Sequence, residues 1–181
     1  MSGCRRLTDE EVERVFSEVS GKTKLLILVG LTYGTRISEA LALTVGDLKG
    51  KFVTIQGLKG GQKQTYPIPE PVKKVVNEVI KIYKDSGINV VDTTPMFCGT
   101  GDICMSRQNA SQQLKKAFKS AAIDGKVNTH SLRKSFVTKI YEATNKDIIR
   151  TRLFSRHSSI NSLIHYIETC EDTNLICDFK W

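Results

Sequence analysis

A chain of 181 residues with 40% hydrophobic and 25% charged side chains has the make-up of one compact globular domain, long enough to bury a real core. Its net charge of +8 favours polyanionic partners, nucleic acid first and an anionic membrane surface second. Five cysteines (4, 98, 104, 170 and 177) without a CxxC pair argue against a disulfide framework or a zinc cluster, and the longest apolar run, Leu25 to Leu31, is too short to span a bilayer. No signal peptide is legible at the N-terminus, so the expected compartment is the reducing cytoplasm.

Thr8 and Glu11 form a capping box, and Val12, Val15, Phe16 and Val19 follow at helical spacing, predicting a first helix that Gly21 ends. A second, apolar helix over about 22–32 runs to a break at Tyr33-Gly34, and a short helix with Ile37, Ala40 and Leu41 starts near Arg36. Phe52 to Ile55 and Thr65 to Ile68 flank a Gly/Lys/Gln stretch over 57–64, which predicts a β-hairpin with a basic tip. Pro71 opens an amphipathic helix carrying Val72, Val75, Val76, Val79, Ile80 and Tyr83 on one face. Residues 85–102 read as loop, with a short strand at Met96-Phe97. Ser106 caps a further helix, with Leu114, Ala117, Phe118 and Ala121 inward and Lys115, Lys116 and Lys119 outward; Asp124-Gly125 is a turn. Three more helices fit about 130–143, 146–154 and 159–168, leaving a tail to Trp181. The fold class is mainly α with a small antiparallel β-hairpin (α+β).

Some residues resist a purely structural reading. On the helix after Asn128, His130 and Arg133 fall in the half that carries Leu132, Phe136 and Val137. An arginine there must reach out, pair with an acid or await an anion, because an unpaired buried charge is costly. Taken alone, His130 is an ordinary core or cap histidine; with Arg133 three residues on, an anion site is favoured. On the last predicted helix, Tyr166 lies off the stripe of Ile160, Leu163, Ile164 and Ile167. That predicts a half-exposed hydroxyl, or simply an amphipathic surface tyrosine. Arg36 at a helix start opposes the helix dipole unless an anion binds; its ordinary role is a pair with Glu39. Lys59 in the hairpin is by itself one more turn lysine.

In order and spacing this set resembles the tyrosine recombinase family, which includes phage integrases. Tyr33-Gly34-Thr35-Arg36-Ile37-Ser38-Glu39-Ala40-Leu41 is similar to the family's T-G-x-R-I-S-E-L segment. Leu58-Lys59-Gly60-Gly61 through Pro67-Ile68 is similar to its lysine hairpin. His130-Ser131-Leu132-Arg133-Lys134-Ser135-Phe136 is similar to H-x-L-R-x-x-F. His157-Ser158-Ser159-Ile160, with Tyr166 nine residues after His157, is similar to L-G-H-S-S-I and its tyrosine. The likeness runs from about Thr8 to Ile167, with two departures. Arg156 stands where the family has glycine, altering backbone approach or adding a phosphate contact. Gln64 stands for the usual hairpin arginine, leaving Lys63 as a rival to Lys59.

The resemblance implies a site-specific recombinase catalytic domain over 1–181, with a tail over 169–181 and no counterpart of the separate helical DNA-clamping domain that usually comes first. It implies Tyr166 as nucleophile on a scissile phosphate, giving a 3′-phosphotyrosyl link and a free 5′-hydroxyl. Arg36, Arg133 and His157 would face the non-bridging oxygens, Lys59 would protonate the leaving oxygen, and His130 would assist proton transfer from the tyrosine. No cofactor and no metal are expected, since guanidinium groups replace a cation's charge. The implied partners are double-stranded DNA and further copies of the chain in a synaptic tetramer, with no membrane. Leu175, Ile176, Phe179 and Trp181 would dock the tail on another subunit or back on its own domain. A type IB topoisomerase shares this site logic, and a catalytically silent DNA-binding module is the reading from another class; the intact order of the six residues favours the recombinase. A basic helical protein with coincidental motifs ranks last.

Overall fold

The computed structural model describes residues 3–57, 63–99 and 103–167. Lys59 and the apolar tail therefore lie outside the described residues. The elements run α1 (Asp9–Glu18), α2 (Gly21–Tyr33), α3 (Ile37–Leu41), α4 (Val45–Lys49), β1 (Phe52–Gln56), β2 (Lys63–Pro67), α5 (Glu70–Asp85), α6 (Arg107–Ser120), α7 (Thr129–Ala143), α8 (Ile148–Ser155) and α9 (Ile160–Ile164).

α2 is apolar on nearly every side, and a helix of that kind belongs in the interior. It buries Leu25, Leu26, Ile27, Val29 and Tyr33, with α5, α6 and α7 packed around it. α5 turns its valine face inward as its periodicity predicts, and α6 is capped by Ser106 with Leu114, Ala117 and Phe118 buried. The hairpin pairs antiparallel from Phe52↔Pro67 to Gln56↔Lys63, so β2 begins nearer the tip than its apolar residues indicate. Val53 and Ile55 point into the core on the alternate positions of β1.

Several sequence expectations need correction. α1 stops at Glu18, and Gly21 opens α2 instead of closing α1. α4 was not anticipated, although Thr44 and Asp47 carry the capping-box signal that starts it. Met96-Phe97 makes no strand ladder among the described residues. The Met96 N–H donates to Leu43 O (2.9 Å), the Cys98 N–H donates to the Tyr83 hydroxyl (2.9 Å), and only isolated bridges flank the pair. The last helix ends at Ile164, which places Tyr166 in the turn that follows it.

Candidate active site

The site is assembled where α7 crosses the end of α2. Gly34 ends α2 in the left-handed conformation (φ +59°), and a Cβ there would overlap the Phe136 ring. One turn earlier, a Cβ on Gly30 would come within 2.9 Å of the Leu132 side chain. Two glycines thus let α7 lie directly on α2, and the residue between Leu132 and Phe136 that gains from this approach is Arg133.

Arg133 is only 1% exposed. Its guanidinium donates through Nη1 to Gly34 O, and through Nη2 to Ser155 O (2.8 Å) and His157 Nε2 (3.2 Å). Among the described residues its Nε–H has no partner, and no carboxylate forms an ion pair with it. Burial, reinforced by the charges of Arg36 and Arg156, lowers its pKa to about 10, which leaves it fully charged at neutral pH.

A guanidinium has no acceptor, so Nε2 of His157 must be unprotonated and its proton sits on Nδ1. Nδ1–H then donates to Ser155 Oγ (2.7 Å), whose hydroxyl donates on to Arg152 O (3.4 Å). Burial and the charges of Arg133, Arg36 and Arg156 push the His157 pKa down to about 3, so the ring is neutral here. In this arrangement Nε2 accepts from Arg133. It becomes a donor to phosphate only after a change of tautomer or a gain of a proton.

Arg36 is the N-cap residue of α3 and pairs with Glu39 as its ordinary role predicts, Nη1 to Oε1 at 2.8 Å, while its backbone N–H donates to Oε2 at 2.9 Å. About a third of its side chain stays exposed (34%), and Nη2 makes no hydrogen bond among the described residues. Burial of Glu39 would raise its pKa, yet the Arg36 N–H and guanidinium, with the charges of Arg156 and Arg133, hold the carboxyl below its ordinary value.

Arg156 is the residue that sequence reasoning underrated. It keeps the left-handed backbone that suits a glycine (φ 56°, ψ 33°), which costs a non-glycine residue roughly 1–2 kcal/mol. Its side chain does not reach outward to a ligand. It is buried, with Nη1 on Tyr33 O (3.0 Å) and the Tyr66 hydroxyl (2.6 Å) and Nη2 on Glu39 Oε2 (3.2 Å). The expectation of a direct phosphate contact is therefore not met.

Tyr166 is half-buried, as expected, with its ring 4.8 Å from the His157 ring and 5.6 Å from the Arg133 guanidinium carbon. Its hydroxyl makes no hydrogen bond among the described residues. His130 is exposed in the first turn of α7, not turned inward as its helical phase indicates. Partial desolvation, with the charges of Arg133 and Arg36, holds its pKa below the ordinary value. The structure thus gathers Arg36, His130, Arg133, His157 and Tyr166, while Lys59 lies outside the described residues; Lys63 is exposed at the start of β2. Arg36 and Arg156 share the one buried carboxylate of Glu39, and Arg133 beside them has none of its own, so the cluster carries an excess of positive charge suited to an anion.

The sequence profile of the phage integrase family matches residues 5–172. The chain is 33% identical over 148 residues to tyrosine recombinase XerA of Pyrococcus furiosus, covering 76% of this chain and 48% of that one. It is 29% identical over 174 residues to tyrosine recombinase XerD of Mycobacterium leprae, covering 87% and 54%. The chain spans about half the length of these relatives. In fold it is similar to the XerA recombinase crystal structure (TM-score 0.78, 17% identity, 97% of this chain and 66% of that one). It is also similar to the Tn1549 transposon integrase in complex with a circular intermediate DNA (TM-score 0.75, 20% identity, 98% and 66%).

Proposed function

Because this chain belongs to the phage integrase family, we propose that it is the catalytic domain of a site-specific tyrosine recombinase that cuts and rejoins duplex DNA. The observation that carries this reading is Arg133. Among the described residues it is a fully buried guanidinium without a carboxylate partner, beside an Arg36 whose Nη2 makes no hydrogen bond, and under the ring of Tyr166. A buried charge of this kind costs several kcal/mol unless an anion compensates it, and a phosphodiester brings one negative charge with two non-bridging oxygens for forked donors.

In this reading the Tyr166 hydroxyl oxygen attacks the scissile phosphorus, forming a P–O bond to tyrosine while the bond to the 5′-oxygen breaks. The tyrosine proton leaves with help from His130, which stands exposed beside the two arginines. The leaving 5′-oxygen takes a proton from a hairpin lysine, Lys59 or Lys63. Arg36 and Arg133 stabilise the charge that grows on the non-bridging oxygens. Arg133 meets the phosphate once the Tyr166 ring moves off its face, and His157, with its proton shifted from Nδ1 to Nε2 and the Ser155 hydroxyl turned to donate to Nδ1, then exchanges its bond from Arg133 for a donated one to phosphate. The covalent link conserves the energy of the phosphodiester, so rejoining is the reverse of cleavage.

Among the described residues no helix is long and apolar enough to cross a membrane, and the proposed place of action is DNA inside the cell, where further copies of the chain assemble. The decisive experiment is incubation with a nicked suicide substrate, whose cleavage releases a short fragment and traps the intermediate. A DNA-linked band on a denaturing gel is the expected result. Its absence, with DNA bound, would defeat the reading.

A further inference from the structure

We propose, resting on the recombinase reading, that Arg156 is a positioning residue that keeps the charge of Arg36 available to phosphate. The three polar contacts of its guanidinium point inward, so it is not itself placed to hold DNA. Nη2 donates to Glu39 Oε2 (3.2 Å), and the same carboxylate accepts from Arg36 Nη1 (2.8 Å) and from the Arg36 N–H (2.9 Å). The Arg156 and Glu39 side chains are both 0% exposed, so this is not a solvent-screened surface pair.

Without Arg156, Glu39 would face Arg36 alone, and a buried carboxylate at that distance would neutralise the guanidinium the reaction needs. With Arg156 present, one carboxylate is shared by two cations, and Arg36 keeps its position without surrendering its charge. The other arm of the guanidinium carries the same tie further. Nη1 holds Tyr33 O (3.0 Å) and the hydroxyl of Tyr66 (2.6 Å), and Tyr66 donates to Phe154 O (2.6 Å). One side chain therefore joins the end of α2, α3, β2 and the α8–α9 turn that carries His157. The left-handed backbone at Arg156 is one a glycine adopts without strain, so the chain holds an arginine at a position whose backbone does not call for one.

Arg156→Gly suits this backbone and is the test variant, with Arg156→Gln as a second that removes the charge and keeps a donor. Two nicked substrates are used: an ordinary phosphodiester, and one whose scissile phosphate has a non-bridging oxygen replaced by a neutral methyl group. On the phosphodiester both variants should form adduct at least roughly tenfold more slowly at saturating DNA, the scale of coupling between contacting residues. On the neutral methylphosphonate, which needs less positive charge, the deficit should shrink to about twofold or less, whereas a role confined to folding would slow both substrates equally. Adding Glu39→Gln to Arg156→Gly should restore part of the phosphodiester rate. Equal deficits on both substrates, or none on the phosphodiester, overturn the proposal. The side-chain Nε–H signal of Arg36, assigned with Arg36→Lys, gives a readout that needs no catalysis. It should shift in Arg156→Gly, and an unmoved signal overturns the positioning role. A wild-type chain that forms no adduct would defeat the recombinase reading, while the Arg36 signal still decides the link through Glu39.

Discussion

Nε2 of His157 accepts a hydrogen bond from the Arg133 guanidinium at 3.2 Å, and that single contact sets the tautomer of the ring and links two halves of the site. The pair also has a pH signature. The folded protein holds His157 at about 3, far below the ordinary 6.5, so the unfolded chain binds the extra proton between those values. The sign is therefore fixed: the contribution is complete above pH 6.5 and is lost progressively as the pH falls towards 3, by at most ~5 kcal/mol. Urea midpoints measured across that window should fall with pH in the wild type, and the slope should flatten in His157→Gln. Parallel curves for the two proteins would show that the ring is not held neutral.

Tyr166→Phe removes one oxygen and leaves the ring against Arg133 and His157. DNA binding, followed by gel mobility, should stay within about twofold of wild type, while the covalent adduct disappears. An adduct that survives the substitution would assign the nucleophile elsewhere.

Arg133→Ala and Arg36→Ala should each slow adduct formation by at least about 10²-fold, by analogy with loss of one oxyanion donor. Arg133→Lys should be nearly as slow, because an ammonium is a point donor and cannot span Gly34 O, Ser155 O and His157 Nε2 as the planar fork does. Single-turnover rates at saturating DNA measure this. A near-normal rate in Arg133→Lys would reduce the residue to a charge without geometry.

The hairpin lysines are separated by a substrate whose 5′-bridging oxygen is replaced by sulfur, a leaving group that needs little protonation. Lys59→Ala should be slow on the oxygen substrate and restored on the sulfur one. Lys63 pairs with Gln56 at the first position of β2 and is exposed. If Lys63→Ala shows the restoration instead, Lys63 is the acid.

Gly34→Ala places a methyl group against the Phe136 ring at a left-handed position. The strain and overlap together should lower stability by roughly 2–4 kcal/mol, seen as a reduced urea midpoint. Adduct formation should fall with it, since the Gly34 carbonyl anchors Arg133. An unchanged midpoint would mean that α7 and α2 leave room for a methyl group between Gly34 and the Phe136 ring.

What the sequence made legible was whatever depends on neighbours a few residues away. The valine face of α5, the Ser106 cap and the Thr8/Glu11 box each repeat within a turn or two, so periodicity exposes them. The pairing of Arg36 with Glu39 was visible for the same reason. Arg156 was not: its partners Tyr33, Glu39 and Tyr66 lie 123, 117 and 90 residues away in sequence, and no local pattern reports a contact of that span. His130 was misread because helical phase counts faces and ignores position; in the first turn of α7 even a residue of the inner face meets solvent. Tyr166 had its exposure right and its element wrong, because an apolar stripe does not mark where so short a helix stops.

The packing around Tyr166 divides the molecule unequally. Phe136, Val137 and Leu163 form a small apolar cluster apart from the main core, with Tyr166 and Ile167 leaning on it. The backbone there closes through short turn bonds, from Tyr166 N to Leu163 O (2.8 Å) and from Ile167 N to Ile164 O (3.1 Å). The main core, by contrast, spans every element from α1 to α7. Subglobal opening therefore has a preferred place. The segment that carries Tyr166, held by so small a cluster, is expected to part from the rest for a fraction of the free energy of global unfolding, before α2 and α3 open.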